Sequence, residues 1–266
     1  MLSDTDLSVW NHNNNQEYIR KYLEYEQKKA FLKNNTNTIL LDLYDTLIRY
    51  PKSIPESLKK QIKAWNLNRD LVNSLYEVAQ INNEDLKSLN DIHHIITNKD
   101  AINALVEYTN NNAANVRIYW DTIDALNILK NEGFNIWVVS NLWKEYVQPF
   151  RDKFPKWFFD YEILSCLAWL KKPNKEIFNK ILDDQINFGK KNEDKLSEDE
   201  AKKFTAMVWN KLNEDIVFAE NALIPGILMN RKADRMSYDD KRWLIIIHTL
   251  YDLLDIFWIN HQYSNY

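Results

Sequence analysis

Apolar positions along the chain follow two periods, and the alternation between them outlines a fold. Residues 16–32 carry a charged helical pattern that ends in the Asn-rich turn 34–37. Thr38–Leu41 follows as a short apolar run bounded by turn residues, which predicts a strand buried on both faces. Residues 53–115 show helical spacing broken by Asn-containing turns and predict an all-helical insert. From Asp121 onward the order becomes helix then strand, repeatedly. Residues 122–132 are amphipathic, with Ile123, Leu126 and Leu129 on one face and Gly133 as the stop. Asn135–Ser140 predicts a strand, 143–153 a helix, 161–165 a short strand and 174–182 a helix. Ser197 and Glu200 have capping-box spacing and predict a helix to about 213. Residues 215–219 and 227–230 predict two more strands. The apolar stretch 243–259 carries His248, Asp252 and Asp255 at i, i+4 and i+7, with Lys241 seven residues before, and predicts a C-terminal packing helix with one polar stripe. Strands alternating with helices predict parallel βαβ units in an α/β fold with a Rossmann-like sheet.

The implied organisation is an N-terminal helical appendage over 1–37 and a core made of 38–49 and 118–236. The helical insert occupies 50–117, a second helical insertion lies near 183–214, and the C-terminal helix falls within 237–266. In an open parallel sheet, ligands bind beyond the carboxyl ends of the strands. The polar residues expected there are Asp42 with Tyr44, Asp45 and Thr46, then Ser140 with Asn141, and Glu220 with Asn221. Lys172 follows the 161–165 strand. Carboxylates, hydroxyls and a lysine gathered on one edge suit chemistry on anions or electrophiles.

Composition narrows the function classes. With 45% hydrophobic and 13% aromatic residues, the chain can bury a sizeable core. A net charge of −4 and a pI near 5.8 leave no basic excess to neutralise a phosphate backbone, so no nucleic-acid partner is expected. Three glycines are too few, and too scattered, for a Walker or dinucleotide phosphate loop. The single Cys166 rules out an intrachain disulfide and the usual cysteine zinc site. The polar, acidic start is unlike a secretory signal, and the charges in 243–259 argue against a membrane span. A reducing, cytoplasmic setting is the expectation.

Thr38–Leu47 (TILLDLYDTL) resembles motif I of the haloacid dehalogenase superfamily, in which a strand delivers a nucleophilic Asp followed four residues later by Thr. Ser140 after NIWVV resembles motif II, and Lys172-Pro173 before EIF (176–178) resembles motif III. The run 157–178 is similar to the usual lead-in to that lysine, and the insert lies where subfamily I members carry a helical cap. The resemblance implies Asp42, Thr46, Ser140 and Lys172 as the catalytic set. It implies a hydrolase acting on a small organic substrate through a covalent Asp42 ester. Two departures shape the chemistry. Family phosphatases place a second Asp two residues after the nucleophile; here that residue is Tyr44. Motif IV, read from DIVFAENALIPG, offers Glu220 and no later acid before Gly226, so a Mg²⁺ site built on Asp42, the Tyr44 carbonyl and Glu220 is thin. Tyr44 resembles instead the metal-free 2-haloacid dehalogenase branch, whose Asp attacks carbon and displaces halide. That branch's Ser-Asn matches Ser140-Asn141, and its motif IV Asn matches Asn221, while its later Asp falls on Ile224. Tyr44, Asn141 and Asn221 are then the substrate-binding residues. The alternatives are a Mg²⁺-dependent phosphatase using Glu220, and a binding or scaffold protein whose catalytic set has decayed, with a homodimer through the C-terminal helix.

Overall fold

The computed structural model describes residues 4–49, 99–191, 205–211, 219, 224–242 and 244–260. The sheet is built from β1 (Thr38–Leu41), β4 (Asn135–Ser140), β5 (Tyr161–Leu164), β6 (Thr205–Trp209), β7 (Gly226–Met229), β8 (Ser237–Asp239) and β9 (Leu244–Ile247). Their order is β5-β4-β1-β6-β7-β9-β8, parallel throughout except for β8, which runs antiparallel to β9 at the edge. A separate antiparallel pair, β2 (Ile48–Arg49) and β3 (Arg117–Ile118), marks where the chain leaves the core and returns to it. The helices are α1 (Asp4–Asn35), α2 (Lys99–Ala114), α3 (Thr122–Asn131), α4 (Val147–Arg151), α5 (Ser165–Ala168), α6 (Lys175–Lys191) and α7 (Tyr251–Ile256).

The inner positions of the central strands are apolar because both faces of the sheet are covered. Ile39, Leu41, Ile136, Val138, Ala206, Val208, Ile227 and Ile245 pack on one face, with Ala125, Leu126 and Leu129 of α3 and Leu253 and Leu254 of α7. Leu40, Trp137, Val139, Met207, Trp209 and Leu228 pack on the other, with Ile177 and Ile181 of α6. The alternation follows the two-residue period of a strand. Helix α3 stops where the sequence predicts. Gly133 takes φ 90, its N–H reaches Lys130 O at 3.0 Å, and Phe134 N–H reaches Leu129 O at 3.1 Å, a Schellman arrangement.

Three expectations are corrected. The helix predicted to run to about 213 contains β6 instead, a central strand between β1 and β7. Its five-residue apolar core is too short to reveal a period, and charged residues on both sides imitate a helical surface. The capping pair Ser197 and Glu200 and most of the strand predicted over 215–219 lie outside the described residues, while Ala219 itself is helical.

The second correction concerns the C-terminus. Residues 244–247 form β9, and only 251–256 are helical. Three consecutive isoleucines favour the pleated, doubly buried environment of a strand. Asp252 belongs to no surface stripe: its Oδ2 accepts from the backbone N–H groups of His248 (2.8 Å) and Thr249 (3.2 Å) at the start of α7. Leu253, Leu254 and Ile256 are buried within the chain.

Third, the N-terminal helix is longer than the 16–32 pattern, running from Asp4 to Asn35, and it packs on the core. Leu32 is fully buried, Tyr25 stacks on Tyr238 with centroids 5.9 Å apart, and Lys33 lies 3.9 Å from the ring centre of Trp258. No described helix is long and apolar enough to cross a membrane. Of the insert expected over 50–117, residues 50–98 lie outside the described residues, His93 and His94 among them.

Burial of α1 gives a test in solution. Burial pulls the Lys28 ammonium down to about 8 from 10.5. Between those values the unfolded chain holds more protons than the folded one, so this residue's penalty on folding is full below pH 8 and fades as pH rises to about 10.5. Cys166, pushed up by burial to about 11 from 9.0, works in the opposite direction from about pH 9 upward. Lys28→Met removes this titration, so its stability relative to the wild type is expected to be higher at pH 7 than at pH 10, as read from urea midpoints at the two pH values.

Candidate active site

The site is set by where the strands end. Leu41 pairs with Val138 of β4 on one side and with Val208 of β6 on the other, and Asp42 N–H donates to Val208 O at 2.9 Å. Asp42 is thus the first residue beyond the central strand, with neighbouring strands at the usual spacing of roughly 4.8 Å on each side. Its side chain is nearly closed off from solvent, at 6% exposure for the residue, and Lys172, at 2%, places Nζ 2.7 Å from Oδ1. Two opposite charges in so dry a place hold each other; either alone would carry a large desolvation cost.

Lys172 is delivered by a loop that Asn141 braces. Asn141 Nδ2 donates to Lys172 O at 2.9 Å, and Lys172 N–H donates back to Asn141 Oδ1 at 2.8 Å. The Asn141 amide, expected at the substrate, thus grips the peptide that carries the lysine. A second brace ties the same loop to the start of α5, because Leu142 N–H donates to Ser165 Oγ at 2.9 Å. Ser140 is the last residue of β4 and is buried.

The turn after Asp42 is compact. Asp45 takes the left-handed conformation, φ 56, which Asp tolerates better than most residues. Asp45 N–H reaches Ile48 O at 2.7 Å, and the N–H groups of Leu47 and Ile48 reach Leu43 O at 2.8 and 3.0 Å. The Tyr44 ring lies edge-on to Tyr146, centroids 5.6 Å apart. Thr46 is fully buried, and its hydroxyl has no partner among the described residues.

The sequence-predicted residues therefore divide. Asp42 and Lys172 meet directly, Asn141 positions the lysine, and Tyr44, Thr46 and Ser140 sit on the same edge. Glu220 and Asn221 lie outside the described residues; their described neighbours Ala219 and Ile224 lie just ahead of β7, whose Gly226 pairs with Met207. The residue that follows β6 at the carboxyl edge is Asn210, which sequence reasoning missed because it assigned the segment to a helix. Its Oδ1 is buried and has no partner among the described residues. Also missed was Arg231, two residues beyond β7, although a cation directly after a predicted strand was a usable signal.

Two other chemistries find little support. Cys166 is buried, and its thiol, held up near 11, is not ionised at neutral pH. For magnesium, the described residues bring the Asp42 carboxylate and the Asn210 amide oxygen. Both are hard oxygen donors, but they are short of an octahedral set, and no group of three or more His, Cys, Asp or Glu side chains able to hold a metal occurs among the described residues. The described residues alone do not fit the ion.

Comparison with known proteins follows the same lines. A family model described as haloacid dehalogenase-like hydrolase matches residues 36–222. Similar solved structures include YfnB of Bacillus subtilis, described as a HAD-hydrolase and bound to magnesium. It is 17% identical over 84% of this chain and 99% of that one, with a TM-score of 0.53. The HAD family enzyme bt-2542 of Bacteroides thetaiotaomicron is 17% identical over 75% and 96%, TM-score 0.53. A HAD phosphatase of Thermococcus onnurineus is 19% identical over 83% and 97%, TM-score 0.50. At these identities the likeness is one of fold. No curated protein matches the chain.

Proposed function

This chain belongs to the haloacid dehalogenase-like hydrolases, and on that premise we propose that it hydrolyses a small organic substrate through a covalent ester on Asp42, by displacement at carbon. The observation that carries the reading is the buried Asp42–Lys172 pair at the end of the central strand, 2.7 Å apart. The carboxylate attacks the substrate carbon, and the carbon–leaving-group bond breaks with its electron pair going to the leaving group. A halide departs without a proton, so a tyrosine at position 44, in place of an acid, is no handicap. Water then attacks the carboxyl carbon of the ester. The alcohol is released, the Asp42 carboxylate returns, and one proton passes to solvent. Lys172 offsets charge on the carboxylate throughout. In this reading Ser140 and the Thr46 hydroxyl orient an anionic group on the substrate, the Tyr44 ring forms an apolar wall, and the insert between β2 and β3 serves as a cap.

The test is halide release from short 2-halocarboxylates in the presence of a chelator. Turnover is expected with the wild type, and Asp42→Asn should lower it by at least roughly 10³-fold. Incubation in H₂¹⁸O under single turnover should label the enzyme at Asp42. A second reading, magnesium-dependent hydrolysis of a phosphate ester, draws on the unpartnered Asn210 amide oxygen. It predicts phosphate release from an aryl phosphate only with Mg²⁺, with Glu220 or another residue outside the described set completing the ligands. Absence of both activities from a folded protein would favour the third reading, a binding or scaffold module.

A further inference from the structure

The turn that carries Asp42 is also held at its other end. Arg231 Nη2 donates to the Thr46 carbonyl at 2.5 Å, and Nη1 donates to the carboxylate of Asp121, which is fully buried. The guanidinium carbon lies 4.2 Å from the ring centre of Tyr119. Asp121 is fixed in turn, since its Oδ2 also accepts from Leu250 N–H at 2.6 Å. Around this joint Thr122 Oγ1 donates to Leu47 O at 2.9 Å, Tyr119 N–H donates to the same carbonyl at 3.1 Å, and Tyr119 Oη donates to Asp45 Oδ1 at 3.3 Å. Five stretches of chain therefore meet here: the 42–47 turn, the return strand of the insert, the start of α3, the end of β7 and the start of α7.

We infer that Arg231 is a positioning residue for the reaction proposed above: anchored on Asp121 and Tyr119, it fixes the Thr46 carbonyl and so sets the orientation of the turn that bears Asp42 and Tyr44. An ion pair that served stability alone could point anywhere in the core. Here one arm of the fork ends on a main-chain oxygen four residues from the attacking carboxylate, and the other on an acid locked by a second main-chain bond. A planar, two-armed cation matches both acceptors at once in a fixed geometry. The inference rests on the Asp42 reading for its catalytic consequence but not for the fixing of the turn, and the test separates the two.

Hydrogen exchange of the full chain would be followed by mass spectrometry in the wild type, Arg231→Met and Arg231→Lys. Loss of the fork is expected to speed exchange at Asp45, Leu47 and Ile48 by at least about tenfold, while β4 and β6 keep their protection. Lysine offers a point charge in place of the planar fork and is expected to restore folding without restoring the turn. On any substrate that the wild type turns over, kcat should fall by about 10²-fold with KM changed less than about threefold, as for a misplaced reacting group. Unchanged protection of the turn, uniform loss of protection across all strands, or full rescue by lysine would each overturn the inference. A wild type without turnover would sink the Asp42 reading alone, because the exchange result still decides whether Arg231 fixes the turn.

Discussion

Lys172→Met is expected to destabilise the protein by about 3–5 kcal/mol, the usual result of leaving one charge of a buried pair without its partner. The side chains of Lys172 and Asp42 are only 2% and 9% exposed, so water cannot compensate for the missing ammonium. Asp42→Asn should cost less, since the amide oxygen can still accept from Nζ. The double replacement Asp42→Asn/Lys172→Met should recover most of the loss, because neither charge then remains buried. Urea unfolding of the four proteins closes the cycle, and a coupling below about 0.5 kcal/mol would show that the pair does not hold the site together. Turnover should vanish in both variants that lack Lys172, and chemical denaturation separates that effect from unfolding.

Gly226→Ala is expected to cost about 3 kcal/mol by overpacking. A Cβ at that position would stand 2.7 Å from Cζ2 and 2.9 Å from Cζ3 of Trp209, with Cη2 closer still. Trp209 is itself almost completely buried, so its indole has nowhere to retreat. The glycine is there for close approach, not for backbone freedom: β7 and β6 pair at Gly226 and Met207, and the indole lies across the glycine. Because Trp209 directly precedes Asn210, the strain should reach the active-site edge. Trp209→Leu in the Gly226→Ala background should restore stability, whereas in the wild type it should lower it by opening a cavity. Thermal unfolding of the three variants measures both effects, and additive losses would refute the account.

These two sites show how far the sequence could be read. β1 and β4 were legible because both are bounded by turn residues and apolar at nearly every position, and Asp42 and Ser140 follow from where those strands stop. The Asp42–Lys172 meeting was legible from the strand ends gathered on one edge and from the family resemblance, although the two are 130 residues apart in the chain. β6 was not legible, because its apolar core is short and framed by charge. Misplacing it moved the expected strand end to Glu220 and hid Asn210. The C-terminal helix was over-extended for a different reason: Asp252 carries the spacing of a surface stripe, but it is buried and accepts from the backbone N–H groups of His248 and Thr249, which no side-chain pattern records. The Arg231 fork links one side chain 110 positions away, that of Asp121, and one main-chain oxygen 185 positions away, that of Thr46, which leaves no periodic trace at all.

The clasp between α1 and the last elements has a consequence for how the chain comes to be folded during synthesis. Tyr25 meets Met236 and Tyr238, Lys33 meets Trp258, and Arg20 and Lys21 approach Asp240. Made near the start of translation, this helix must wait on the ribosome for partners more than 200 positions downstream, with the face around Leu32 uncovered meanwhile. Domains generally assemble as their segments emerge, and contacts so distant in sequence are slow to close. The nascent protein therefore passes through a long interval with this helix undocked, and a chain cut short before residue 236 would keep it so permanently.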